Sequence, residues 1–188
     1  MSDAHLFATG VLLAWLAGVR AYLTVFGVGV AGALGWLDLP PALEATTSPW
    51  VLGVSGSLAL VEFFTDKIPG VDSGWDLLQT LARVPAGAFL AAAALSPDGE
   101  LGAGVALTSH AFKAGTRLLL NASPEPFSNV AVSTAEDGVT LGALGLILVS
   151  PWLALALVLG AAVLLALALL WVMRRLRRSR RPAGRAPG

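Results

Sequence analysis

The chain has 188 residues, 56% hydrophobic and 13% charged, with a mean hydropathy of +0.76, whereas soluble globular domains carry about 25% charged residues. That composition excludes an ordinary soluble domain and points to an integral membrane protein, and the absence of cysteine excludes disulfides, thiolate zinc sites, iron–sulfur clusters and a cysteine nucleophile. The net charge of zero hides an asymmetry: seven arginines lie between Arg174 and Arg185, leaving five basic against twelve acidic residues in the body.

Spans of about 20 apolar residues are predicted roughly six times along the chain. The first runs from about His5 to Trp36. As one straight helix it would be about 48 Å long, more than a hydrocarbon core of about 30 Å, so it must tilt, protrude or break. Gly18 beside Arg20, followed by Gly27, Gly29, Gly32 and Gly35, favours a break or a close helix crossing. No basic residue precedes Leu6 and no small-residue cleavage site is evident, so this span is expected to stay in the mature protein. The second span is predicted over Pro49 to Asp66, the third over Leu77 to Leu95 and the fourth over Leu101 to Leu120. The fifth begins near Val130 or Gly138 and ends near Pro151, and the sixth covers Trp152 to Met173. This gives a transmembrane domain over 1–173 and an Arg-rich, disordered cytoplasmic tail over 174–188.

Positive charge is retained on the cytoplasmic side of short loops. The tail is therefore expected to be cytoplasmic, and an even number of spans places the N-terminus there too. The linkers Leu37 to Ser48 and Ser96 to Glu100 carry acids and no base and are expected outside. A short repeat, Ala17-Gly18-Val19-Arg20 against Ala114-Gly115-Thr116-Arg117, fits a 3+3 inverted repeat with a site between the halves.

Charges inside apolar spans cost roughly 3 kcal/mol each on insertion scales and normally face a partner, a cavity or a substrate path. Arg20, Glu62, Arg83, His110, Lys113, Arg117, Asn129, Glu136 and Asp137 are the candidate substrate or ion-binding residues. Glu62 and Asp66, four apart, share a helix face. Asp66, Asp72 and Asp76 read as caps and a charged turn at the membrane surface, or as weak oxygen ligands for a metal, without the spacing of a calcium loop. His110, Lys113 and Arg117 form one stripe on the fourth span, either pairing with the carboxylates of other spans or holding an anion. The polar run Asn121 to Gly138 reads as a re-entrant loop or a short helix before span five, with Glu136 and Asp137 at that span's start. The tail arginines are expected to touch anionic lipid. No folded nucleic-acid module accompanies them, no cofactor is expected, and the Gly-rich spans are compatible with a homodimer.

Gly18-Val19-Arg20, Glu62 with Ile68-Pro69-Gly70-Val71-Asp72 and Asp76, and Asn129 to Glu136 together resemble the bacterial multi-pass membrane family known as domain of unknown function 4126, over about Leu6 to Trp171. The resemblance implies a helical inner-membrane protein without an established activity. Arg20, Glu62, Asp72 and Glu136 match its pattern, whereas some relatives have a glycine- and threonine-rich stretch in place of His110, Lys113 and Arg117. The expectation is an all-α polytopic transmembrane bundle around a charged cavity, acting as a small transporter or channel for an ion or small polar solute. The alternatives are an enzyme acting on lipid head groups, using Asp66, Asp72, Asp76, His110, Glu136 and Asp137, and a non-catalytic scaffold.

Overall fold

Local signals set most of the helix ends. The computed structural model describes residues 3–68, 71–95, 99–121 and 126–179, and inside these helices some side chains, those of Asp72, Asp76, Arg117 and Asn129 among them, lie outside the description. The elements are α1 (Asp3–Ala33), a 3-10 turn (Glu44–Thr47), α2 (Pro49–Thr65), α3 (Val71–Leu95), α4 (Gly99–Asn121), α5 (Pro126–Ile147) and α6 (Pro151–Ser179). Among the described residues there is no strand. α1 ends where Gly35 adopts φ +69°, with Trp36 N–H donating to the Ala31 carbonyl and Gly35 N–H to that of Gly32. This is a left-handed glycine stop that satisfies the last carbonyls. Ser48 and Ser150 accept from the backbone N–H of Val51 and Leu153, and Pro49 and Pro151 follow them in the first helical position, where the missing N–H costs nothing.

Two elements differ from the sequence expectation, and a third meets it. α3 starts at Val71, so Asp72 sits in its first turn instead of capping a helix that begins near Leu77. α5 starts at Pro126, so Asn129 to Gly138 is neither a re-entrant loop nor a separate short helix. Glu136 and Asp137 consequently lie in mid-helix and cannot cap. α1 carries the break that its length demanded, at Arg20 (φ −140°, ψ 76°), whereas α4 is helical throughout.

α1 is the axis of the molecule and packs against each of the other helices. Its register fixes two directions. Gly29 lies against Thr46 and Leu52, Gly56 against Phe26, and Arg20 against Asp66, so α2 runs antiparallel to α1. Arg20 meets Ser133 and Asp137, and Gly27 meets Leu144, so α5 runs parallel to it. The apolar core joins Leu12, Leu13 and Leu16 of α1 to Leu90, Ile147 and Val158. Gly18 brings α4 close, because a Cβ there would overlap Ser109 Oγ and the Ala106 carbonyl, the use of glycine that helix packing in lipid favours.

The distribution of polarity is inverted relative to a water-soluble bundle. Arg20, Glu62, Asp66, Arg83 and Lys113 are buried, while Trp50, Leu81, Phe127 and Val149 are more than four-fifths exposed. An apolar surface of this extent suits lipid and not water. α1, Val130–Ile147 of α5 and Pro151–Ala168 of α6 are long and apolar enough to cross a membrane, and α2 is apolar but shorter. In detergent, Gly18→Ala should lower the melting temperature at a cost of about 1–3 kcal/mol. Gly142→Ala, where an added Cβ meets nothing within 4 Å, should not. Equal melting of the two variants would contradict the close α1–α4 crossing.

Candidate functional site

The buried charges of five helices converge on one layer, level with the middle of α1. The break in α1 turns Arg20 into this layer with 1% exposure. Its NH1 donates to Asp66 Oδ2 at 2.5 Å, and its NH2 donates to Ser133 Oγ at 2.9 Å and to the Ser133 carbonyl at 3.0 Å. The same NH2 lies 3.0 Å from Asp137 Oδ1 and 3.6 Å from Glu136 Oε2. One guanidinium therefore ties α1 to α2 and to α5. This is the planar, several-donor role for which arginine is suited.

Lys113 of α4 enters the same layer. Its Nζ donates to Asp66 Oδ2 at 2.5 Å and to the Val19 carbonyl, next to the α1 break, at 3.2 Å. It lies 3.8 Å from Glu136 Oε2 and 3.9 Å from Glu62 Oε1. Arg83 of α3 donates from NH2 to Glu62 Oε1 at 2.7 Å. Its NH1 lies 2.9 Å from His110 Nδ1, and His110 Nε2 is 2.7 Å from Thr80 Oγ1. Because a guanidinium only donates, Nδ1 must accept there, so in this geometry the ring is neutral with its proton on Nε2. At the other edge Lys67 donates to Asp137 Oδ2 at 3.0 Å and rests over the Phe63 ring. Among the described residues the layer balances four cations, Arg20, Lys67, Arg83 and Lys113, against Glu62, Asp66, Glu136 and Asp137.

Of the residues singled out in the sequence, Arg20, Glu62, Arg83, His110, Lys113, Glu136 and Asp137 come together here. The side chains of Arg117, Asn129, Asp72 and Asp76 lie outside the described residues. Asp66 is not part of a charged turn at a surface. It is fully buried, because α2 has only 17 residues, about 25 Å of helix, and its C-terminal cap falls at the level of Arg20. Lys67, Ser133 and Thr80 were not anticipated. Ser133 had a visible signal, since Ser133, Asp137 and Thr140 recur at three and four residues and form the buried face of α5.

The charged groups pack against one another, and two separate cavities border them. One, of about 350 Å³, is lined by Arg20, Glu62 and Asp137 together with Phe26, Leu60 and Phe63. The other, of about 230 Å³, places Lys113 and Glu136 among Trp15, Phe112, Val132 and Leu165. Among the described residues no group of three or more His, Asp or Glu side chains is arranged to hold a metal. The carboxylates face cations, and Glu62 keeps its buried Oε2 without a hydrogen-bond partner.

Fold and site together define a helical membrane-type protein organised around a buried ion-pair layer. The sequence profile of the family described as Domain of unknown function (DUF4126) matches residues 7–175, and the chain belongs to that family. No curated protein and no solved structure matches it.

Removing one partner from a buried pair leaves the other charge uncompensated, at a cost of about 3–5 kcal/mol. Asp66→Asn strips the shared carboxylate from both Arg20 and Lys113 and should destabilise by that amount in chemical unfolding. Lys67→Met, at the more exposed edge, should cost under about 1 kcal/mol. A reversed order would contradict the central place of Asp66.

Proposed function

We propose that the protein is a multi-pass transporter or channel of the cytoplasmic membrane for an ion or small polar solute. All six helices cross the bilayer in this reading, both termini are cytoplasmic, and the tail arginines lie against anionic lipid. The carrying observation is Arg20: a guanidinium at a helix break near the middle of α1, held by carboxylates from two other helices and bordered by a cavity. Broken helices that place polar backbone at the membrane midplane are the usual architecture of secondary-transport sites. The antiparallel α1–α2 pair and the parallel α1–α5 pair support the alternation of six spans.

The layer acts as a gate under protonation control. Adding a proton to Glu62 or Asp66 removes a negative charge from the described layer and weakens the hold on Arg83, Lys113 and Arg20. The break at Arg20 gives α1 a hinge that responds. Transport follows when the two cavities connect alternately across the layer.

Proteoliposomes test the reading by collapse of an imposed pH gradient and by uptake of a panel of ions. Glu62→Gln and Arg20→Gln should each lower flux about tenfold or more, equivalent to about 1.4 kcal/mol of barrier. Flux equal to wild type in both variants would defeat the proposal. A purely structural layer would instead show recovery of stability in the Arg20→Asp, Asp66→Arg double variant with no solute moved by either protein. Because the chain lacks cysteine, orientation is open to a clean test. In intact cells an impermeant maleimide should label Asp38→Cys, and Ala4→Cys only after permeabilisation.

A further inference from the structure

We infer that the cavity between α2 and α5 binds a small amphiphile drawn from the bilayer, with an apolar body and one neutral polar group that both donates and accepts a hydrogen bond, such as a hydroxyl or a primary amide. The inference goes beyond the transport reading and does not rest on it. α2 and α5 each pack on α1, and among the described residues they make few contacts with each other beyond the Lys67–Asp137 pair. The gap between them forms the cavity of about 350 Å³, whose wall Arg20 and Phe26 of α1 complete. Leu60 of α2 and Leu141 of α5 line it and are more than half exposed, so it opens on the apolar surface that suits lipid. Entry is therefore lateral, from the membrane. A cavity of about 150 Å³ accepts benzene, so this one suits a body of about twice that size.

Two atoms set the polar requirement. Arg20 and Glu62 both line the cavity, each is 1% exposed, and each keeps one buried polar atom without a hydrogen-bond partner, Arg20 Nε and Glu62 Oε2. The other guanidinium nitrogens of Arg20 are engaged with Asp66, Ser133 and Asp137, and Glu62 Oε1 is engaged with Arg83. The Nε–H group can only donate, and an ionised carboxylate oxygen can only accept. An occupant that satisfies both offers one acceptor and one donor, and it recovers the cost of leaving buried polar atoms unpaired. A charged head is disfavoured. Among the described residues the layer already balances Arg20, Lys67, Arg83 and Lys113 against Glu62, Asp66, Glu136 and Asp137, so an ion added beside it leaves net charge buried. The rest of the wall is built for an apolar body: Phe63 and Leu60 face the Phe26 ring, which packs against Gly56 of α2.

The test is equilibrium dialysis of tritiated phenylbutanol against the full chain in lipid nanodiscs, with empty nanodiscs as control. The expected result is saturable binding above the control, displaced about tenfold less well by butylbenzene, which lacks the polar group, and by the charged phenylbutylamine and phenylbutyrate. Ala59 lines the cavity, so Ala59→Leu fills it without touching the ion pairs and should weaken binding about tenfold; if that variant fails to fold, Ala59→Val takes its place. Ala162→Leu, in the separate cavity beside Lys113, should bind as wild type does. Uptake no greater than in empty nanodiscs means partition into lipid only and overturns the inference. Equal or better displacement by butylbenzene or by either charged probe overturns it too, as does undiminished binding in the Ala59 variant or equal weakening by Ala162→Leu. Flux that depends on Glu62 and Arg20 in proteoliposomes would then leave the transport reading standing without it.

Discussion

A guanidinium that can reach neither water nor lipid head groups is the constraint around which this chain is arranged. Arg20 is 1% exposed and sits near the centre of α1. Its burial is tolerable only if carboxylates arrive from elsewhere with good geometry. Several otherwise separate features follow from that demand. α2 is short enough to deliver Asp66 at the required depth, α5 begins early enough to bring Ser133 and Asp137 alongside, and Gly18 lets α4 approach until Lys113 reaches the same carboxylate. The break at Arg20 turns the side chain inward and leaves the Val19 carbonyl to accept from Lys113.

The parts of this arrangement that were legible in the sequence are those carried by cost. A charge in an apolar run is expensive wherever the run goes, so Arg20, Glu62, Lys113 and Glu136 stood out as groups that need a partner, a cavity or a substrate path before any fold was known. Helix punctuation was similarly local: Gly35, Ser48-Pro49 and Ser150-Pro151 end or start helices by their own chemistry. Depth was not legible. Asp66 reads as a surface cap because it follows an apolar run, and only the register of α2 against α1 shows that this helix end lies at the level of Arg20. The start of α5 was misread for a related reason. Two prolines and several polar residues look like loop, yet the polar side chains of Ser133, Asp137 and Thr140 share one face, turned toward α1. Periodicity at three and four residues was the better guide than composition there.

The layer is neutral among the described residues and its contacts are short, which makes it strong and also makes it responsive. Each carboxylate serves more than one cation: Asp66 serves Arg20 and Lys113, Glu62 serves Arg83 and lies near Lys113, and Asp137 serves Arg20 and Lys67. A change of charge at one member is felt by its neighbours through shared oxygens. Shared partners of this kind couple non-additively, as networks in low dielectric do. A chain of independent pairs would not.

The wide separation of Arg20 from its partners along the sequence also constrains how the protein is made. Asp66 follows it by 46 residues and Ser133 by 113. When α1 leaves the ribosome, the carboxylates that hold its cation in the folded protein have yet to emerge. The first hairpin can neutralise it once α2 has emerged, but the ties to α4 and α5 must wait for most of the polypeptide. Assembly therefore has an order written into it: an early two-helix intermediate with one pair closed, completed only when the later helices have been synthesised.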